Sequence, residues 1–283
     1  MNKELTPVDP VQPVAPWLGG KRNLAKRICA IIDRTPCTTY AEPFVGMGGI
    51  FLRRSSRPRG EVINDKGRDI ATLFRILQRH YPQFLDTLRF QLTTRVEFNR
   101  LIDTRPDTLT DLERAARFLY LQRTAFGGKV SGRNFGVDRA RPGRFNLTTL
   151  EPMLEDLHSR LAGVVIECLD WSAFIPRYDS EGTLFYLDPP YWGCEDDYGK
   201  AMFDRTDFQR LASLLAGIKG RFLLSLNDVP EVRTIFAGFE LAEVRTTYTI
   251  SGKRNDPAGG RAELLIANWS LSARQDSVSV ADS

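Results

Sequence analysis

Thr183-Leu184-Phe185-Tyr186-Leu187-Asp188-Pro189-Pro190-Tyr191 is the stretch from which the rest of the chain can be read. Its first half reads as a short buried strand, the kind that a parallel sheet covers on both faces. The two prolines stop that strand, fix φ, and offer carbonyls without N–H groups. Ligand crevices of open α/β sheets lie at the carboxyl ends of strands, and Asp188 to Tyr191 stand at such an end. Ionised Asp188 is an acceptor and Tyr191 offers a flat face. Together they suit a planar group with an exocyclic amine, whose NH₂ would donate to Asp188 and to a carbonyl of Pro189 or Pro190. Those hydrogen bonds would localise the lone pair of the amine, and in-line attack on a sulfonium methyl then needs mainly positioning and electrostatics. The structural alternative is a proline-rich loop after a strand.

A second strand-end motif lies upstream. Glu42-Pro43-Phe44-Val45-Gly46-Met47-Gly48-Gly49 follows an expected strand at 38–42 and precedes an expected helix start at 49–54. Its glycines allow a sharp turn and close approach to a ligand, although Phe51 stands where the third glycine of G-x-G-x-x-G belongs. Asp65 ends the next expected strand, 61–64, and follows Gly46 by 19 residues. A carboxylate there can accept from both hydroxyls of a ribose. Taken singly, the two features also read as a structural turn and a strand-end residue; jointly they favour nucleoside binding.

The remaining periodicity predicts helices over 23–32, 69–90 and 110–126, the last with a Thr110/Glu113 capping box. Further expected strands cover 164–169 (buried), 221–226, 240–249 and 262–269. A helix capped by Thr206 precedes the first of the last three. Strands and helices alternate at both ends, while the middle is helix and loop. The expected architecture is a single α/β sheet domain built from the two ends, 17–72 and 150–270, with a helical insertion, 73–149. Residues 1–16, with Pro7, Pro10, Pro13 and Pro16, read as a loose arm, and 271–283 as a fraying tail.

Charge follows the same division. Residues 73–149 carry 14 Lys/Arg against 7 Asp/Glu, and the rest of the chain 25 against 28, within an overall net charge of +4. The densest part holds Arg123, Lys129, Arg133, Arg139, Arg141 and Arg144 among glycines and the aromatics Phe126, Phe135 and Phe145. Phosphate-binding segments read this way, and so do solvated glycine-rich loops. The four cysteines form no C-x-x-C pair and the two histidines lie far apart, so neither a zinc site nor disulfides are expected, and a cytoplasmic setting follows. No apolar run reaches the ~18 residues of a membrane span.

Trp17-Leu18-Gly19-Gly20-Lys21, the EPFVGMGG turn, Asp65 and DPPY, in this order, resemble the Dam-like family of DNA adenine-N6 methyltransferases over about Pro16 to Trp269. The resemblance implies a Rossmann-like methyltransferase sheet with a helical target-recognition insertion. It implies S-adenosylmethionine as cofactor, S-adenosylhomocysteine as product, no metal, and duplex DNA as substrate. Because cofactor and recognition modules lie in one chain, action as a monomer is expected, with a weak dimer as the alternative. On that resemblance the cofactor site comprises Trp17, Lys21, Glu42, Pro43, Phe44, Gly46, Gly48, Asp65 and Asp188. Asp170 would meet the cofactor's adenine amine and Trp171 its ring, although a capping Asp beside a core Trp reads equally well. Asp188, Pro189, Pro190 and Tyr191 would hold a flipped-out target adenine. DNA contacts are expected from Arg123, Lys129, Arg133, Asn134 and Arg144, and from Lys253 and Arg254 in the late loop. The insertion does not reproduce the segment that reads GATC in the best-known members, so a GATC site is not expected.

Three rival functions frame the test. RNA adenine would keep the chemistry and change the substrate, and a silent DNA-binding relative would keep the fold and lose the reaction. A dinucleotide oxidoreductase is disfavoured by the missing third glycine and by DPPY.

Overall fold

The computed structural model describes residues 5–136, 140, 142–195, 202–246 and 261–271. The strands are β1 (Thr6–Pro7), β2 (Thr39–Glu42), β3 (Ser56–Arg57), β4 (Gly60–Asn64), β5 (Val165–Glu167), β6 (Thr183–Leu187), β7 (Arg221–Asn227), β8 (Glu240–Thr246) and β9 (Arg261–Ala267). Seven of them form one sheet in the order β5-β4-β2-β6-β7-β9-β8. The first five are parallel, and β9 and β8 close the far edge as an antiparallel pair.

The helices are α1 (Ala25–Arg34), α2 (Arg68–Arg79), α3 (Tyr81–Leu88), α4 (Arg95–Asp103), α5 (Asp111–Thr124), α6 (Leu147–Arg160), α7 (Trp171–Tyr178), α8 (Arg205–Ala216) and α9 (Pro230–Ile235). Side chains alternate along a strand, so β6 feeds two cores. Leu184 and Tyr186 join the face covered by α1, α2 and α6, whereas Phe185 and Leu187 join the face covered by α7 and α8. This is the Rossmann-like α/β sheet expected from the sequence.

After β2 the chain moves to β4 on one side, and after β6 to β7 on the other. Their carboxyl ends therefore diverge between β2 and β6, which is where such sheets open a crevice.

Several expectations are corrected. Residues 5–16 are not a loose arm. β1 pairs with β3, and the Val8 and Val11 amides donate to Ser55 O (3.0 Å) and Leu52 O (2.8 Å). Val14 and Ala15 are buried, so the residues between the prolines supply both the donors and the apolar surface that dock the segment. The run 164–169 is an edge strand rather than a buried one, and Val165 is 47% exposed.

The expected helix 69–90 breaks at His80 into α2 and α3, with Pro82 tolerated in the first turn of α3. Only one 3-10 turn, Phe51–Arg53, forms after the glycine turn. The cap of α8 is Asp204, whose carboxylate accepts from Thr206 N and Asp207 N, while the Asp207 side chain accepts from Asp204 N. The Thr110/Glu113 box of α5 is present as expected. The insertion boundaries drawn at 72/73 and 149/150 fall inside α2 and α6, and the helical middle shares one continuous core with its face of the sheet.

Candidate active site

The topology gathers the motifs. β5 ends before Asp170, β4 before Asp65, β2 at Glu42 and β6 before Asp188, and these four strands are consecutive neighbours. At the roughly 4.8 Å spacing of adjacent strands they form one rim. Below it opens a cleft of about 1050 Å³, lined among others by Trp17, Lys21, Glu42, Pro43, Phe44, Gly46, Asp65, Trp171, Asp188 and Pro190.

Asp188 sits against a buried cation. Its Oδ1 lies 2.8 Å from Lys21 Nζ and accepts from Ser225 Oγ at 3.3 Å. Ser225 in turn shares a hydrogen bond of 2.9 Å with the Tyr186 hydroxyl. Lys21 Nζ also donates to the Tyr191 hydroxyl, lies 4.0 Å from the centre of that ring, and is 3.6 Å from Glu263 Oε2. Burial raises the pKa of Asp188, and Lys21 opposes that shift. Beyond the motif, Trp192 N donates to Asn227 Oδ1 (2.9 Å) and Asn227 Nδ2 to Trp192 O (3.1 Å), fastening the loop to β7.

The glycine turn is built around Trp17. Gly46 has φ +50°, and a Cβ there would stand 2.6 Å from Trp17 Nε1. Asp65 Oδ2 accepts from Gly46 N (3.0 Å) and Oδ1 from Gly67 N (2.7 Å). Burial pushes its carboxyl up to about 6, and the two amides pull it down. Glu42 is buried and accepts from the Tyr40 hydroxyl at 2.7 Å; burial pushes it up to about 8.

Phe44 and Trp171 meet Phe203, with ring centres 5.9 and 6.1 Å apart, making an apolar wall. Asp170 caps α7, accepting from Ser172 N at 3.0 Å and Ser172 Oγ at 2.7 Å, and its Oδ2 lies 3.0 Å from Lys66 Nζ. The capping reading of Asp170 is thus present, and its neighbour Trp171 lines the cleft.

A family model, described as D12 class N6 adenine-specific DNA methyltransferase, matches residues 17–250. The chain belongs to that family. It is 24% identical over 264 residues to type II methyltransferase M.CviBI of Paramecium bursaria Chlorella virus NC1A, covering 92% of this chain and 100% of that one. Type II methyltransferase M1.LlaDCHI of Lactococcus lactis subsp. cremoris is 25% identical over 279 residues, with 92% and 96% covered. The DNA N-6-adenine-methyltransferase of Escherichia phage P1 is 26% identical over 262 residues, covering 84% of this chain and 33% of that longer protein. This chain is therefore an adenine-specific DNA methyltransferase.

The basic segment of this methyltransferase forms a closed loop after α5. Phe126 N donates to Asn134 O and Gly136 N to Thr124 O, each at 2.8 Å, with positive φ at Gly127, Gly128 and Gly132. Gln122 Nε2 donates to Pro16 O (2.8 Å) and Gly128 O (2.7 Å), tying the loop to the segment that carries Trp17.

Three of the expected DNA contacts brace this loop. Arg123 donates to Val14 O and Arg144 O, Arg144 to Ala125 O, and Arg133 to Gln122 Oε1 and Lys129 O. Burial lowers the Arg133 pKa to about 10. Lys129 and Asn134 are exposed. Lys253 and Arg254 lie outside the described residues, as do Arg139 and Arg141.

Sequence reading missed Glu263, Ser225 and Asn64. Asn64 Nδ2 donates to Pro43 O (2.9 Å) and Leu169 O (3.0 Å), joining the turn to the exit of β5. Glu263, a lone acid in the apolar run of β9, was the one with a visible signal. Among the described residues, no group of three or more His, Cys, Asp and Glu side chains is placed to hold a metal.

Proposed function

We propose that the cleft binds S-adenosylmethionine along the β5-β4-β2 rim and takes a flipped-out adenine of duplex DNA at Asp188–Tyr191. The observation that carries this reading is the juxtaposition of DPPY with the glycine turn across the β2/β6 divergence. When bound, S-adenosylmethionine supplies an electrophilic methyl on a sulfonium. Asp65 would accept from ribose hydroxyls, the Gly46–Gly49 turn would wrap the methionine end, and Phe44, Trp171 and Phe203 would give an apolar surface for a ring. These residues fit that group in both charge and shape.

For the target, Asp188 Oδ and a proline carbonyl accept from the amine, and Tyr191 gives a face for the ring. Flipping costs a few kcal/mol, which these contacts offset. Burial raises the pKa of Asp188, so its carboxylate is a better acceptor for the proton that the methylated amine must lose. The helical middle, 73–149, serves target recognition, and one chain carries both functions as a monomer. No helix among the described residues is long and apolar enough to cross a membrane. We place the enzyme in the cytoplasm of a bacterial or phage-infected cell.

The test is transfer of labelled methyl from S-adenosylmethionine to unmethylated genomic DNA, with long-read mapping of the product. Methylated adenines in one sequence context are expected. No transfer to DNA by protein that binds the cofactor, or preference for structured RNA in competition, would overturn the reading.

Lys129→Ala is expected to reduce the slope of log K against log salt for duplex DNA by about 0.9, the contribution of one phosphate contact. Fluorescence anisotropy at several salt concentrations measures it. An unchanged slope removes Lys129 from the phosphate contacts.

A further inference from the structure

Glu263 lies mid-way along β9, opposite Asn227 of β7 and Val244 of β8. It is 1% exposed, and its successors Leu264, Leu265 and Ile266 are fully buried. A carboxylate is costly to keep in such a place unless it meets a cation. Among the described residues a cation within its reach is Lys21, which also holds Asp188.

Lys21 Nζ stands between two carboxylates, 2.8 Å from Asp188 Oδ1 and 3.6 Å from Glu263 Oε2. Asp188 Oδ1 also takes the Ser225 hydroxyl. That oxygen is therefore already engaged twice when an amine arrives to donate to Asp188. A move of the ammonium by roughly 0.8 Å toward Glu263 gives an ordinary charge-assisted contact there and loosens the one to Asp188. The Lys21 side chain needs no exit to water, because its second partner is equally buried.

We propose that Glu263 is a positioning residue that receives the Lys21 ammonium when the target amine takes Asp188. The proposal rests on the reading above that Asp188 holds that amine.

Two variants separate charge from packing. Glu263→Gln keeps the shape and removes the charge, so Lys21 stays on Asp188. Glu263→Asp keeps the charge and shortens the arm. Single-turnover methyl transfer from labelled S-adenosylmethionine to unmethylated genomic DNA is expected to fall about 10- to 100-fold in Glu263→Gln, the size of a lost charge-assisted contact. Glu263→Asp should be the faster of the two. A packing role predicts the opposite order, because aspartate leaves a void that glutamine fills.

In a Lys21→Met background the Glu263→Gln effect should shrink to within about threefold, since a residue acting through a partner loses its effect with that partner. Melting temperatures establish that each variant is folded. A Glu263→Gln rate within twofold of wild type overturns the proposal. So does glutamine outperforming aspartate, or an equal loss in both Lys21 backgrounds. Activity surviving Asp188→Ala would instead overturn the reading beneath it, so the two failures are distinguishable.

Discussion

Alanine at Asp188 is expected to reduce methyl transfer by about 10²–10³-fold while leaving affinity for nonspecific duplex DNA within a few fold, the loss that follows from the proposed role of an acceptor aimed at the reacting group. The size follows from the position of the carboxylate. Its Oδ1 faces Lys21 at 2.8 Å and burial raises its pKa, so alanine removes a basic acceptor that is held in a fixed place. Without it the amine loses the acceptor that localises its lone pair. The freed Lys21 ammonium also remains between Tyr191 and Glu263, where it opposes a cationic methyl donor. On the proposed reading DNA affinity would come from phosphate contacts away from this floor, so it should persist. Labelled methyl transfer read beside a binding isotherm tests both halves. Turnover within tenfold of wild type would remove Asp188 from the chemistry.

What was legible in the sequence was local. Leu184–Leu187 followed by Asp-Pro-Pro, and Thr38–Glu42 followed by a glycine turn, announce their strand ends because the apolar run and its breaker are adjacent. Thr110 and Glu113 announce the start of α5 in the same way. The order β5-β4-β2-β6 is not local, since crossovers decide it. For that reason the meeting of Lys21 with Tyr191, 170 residues apart, and with Glu263 could not be read from spacing.

The arm was misread because proline spacing suggests extension without saying whether the residues between find partners; Val8 and Val11 do. The arginines show a further limit. Composition marks Arg123, Arg133 and Arg144 as basic but cannot tell a guanidinium facing phosphate from one satisfying the carbonyls of its own loop. Here all three donate to loop or neighbouring backbone groups, while Lys129 stands in solvent.

Beneath the cleft floor a second effect of comparable weight is expected, on stability. Glu61 in β4 is 5% exposed and holds two buried guanidiniums. Arg160 reaches it with both terminal nitrogens, at 2.7 and 2.8 Å, and Arg54 pairs with it from the other side. Arg54 lies 3.7 Å from the centre of the Tyr40 ring, and Arg160 lies 4.1 Å from that of Phe51. Burial lowers the pKa of both arginines, to about 10 for Arg160, whose charge therefore persists at neutral pH.

Glu61→Ala would leave two cations in one dry site with no anion between them. Breaking a buried pair from one side costs about 3–5 kcal/mol. For a chain of this length that corresponds to a fall in melting temperature of roughly 5–10 °C. Replacing the three residues together by apolar ones of similar volume should cost far less, because no uncompensated charge is then left behind. A single variant as stable as wild type, or a triple variant worse than the single one, would show that the cluster does not hold the strand.

The loss should reach the cleft as well. Tyr40, which lies under Arg54, donates to Glu42, and Glu42 lines the rim beside the glycine turn. A loosened Arg54 therefore frees the ring that fixes Glu42, and cofactor binding should weaken in Glu61→Ala even at temperatures where the protein remains folded.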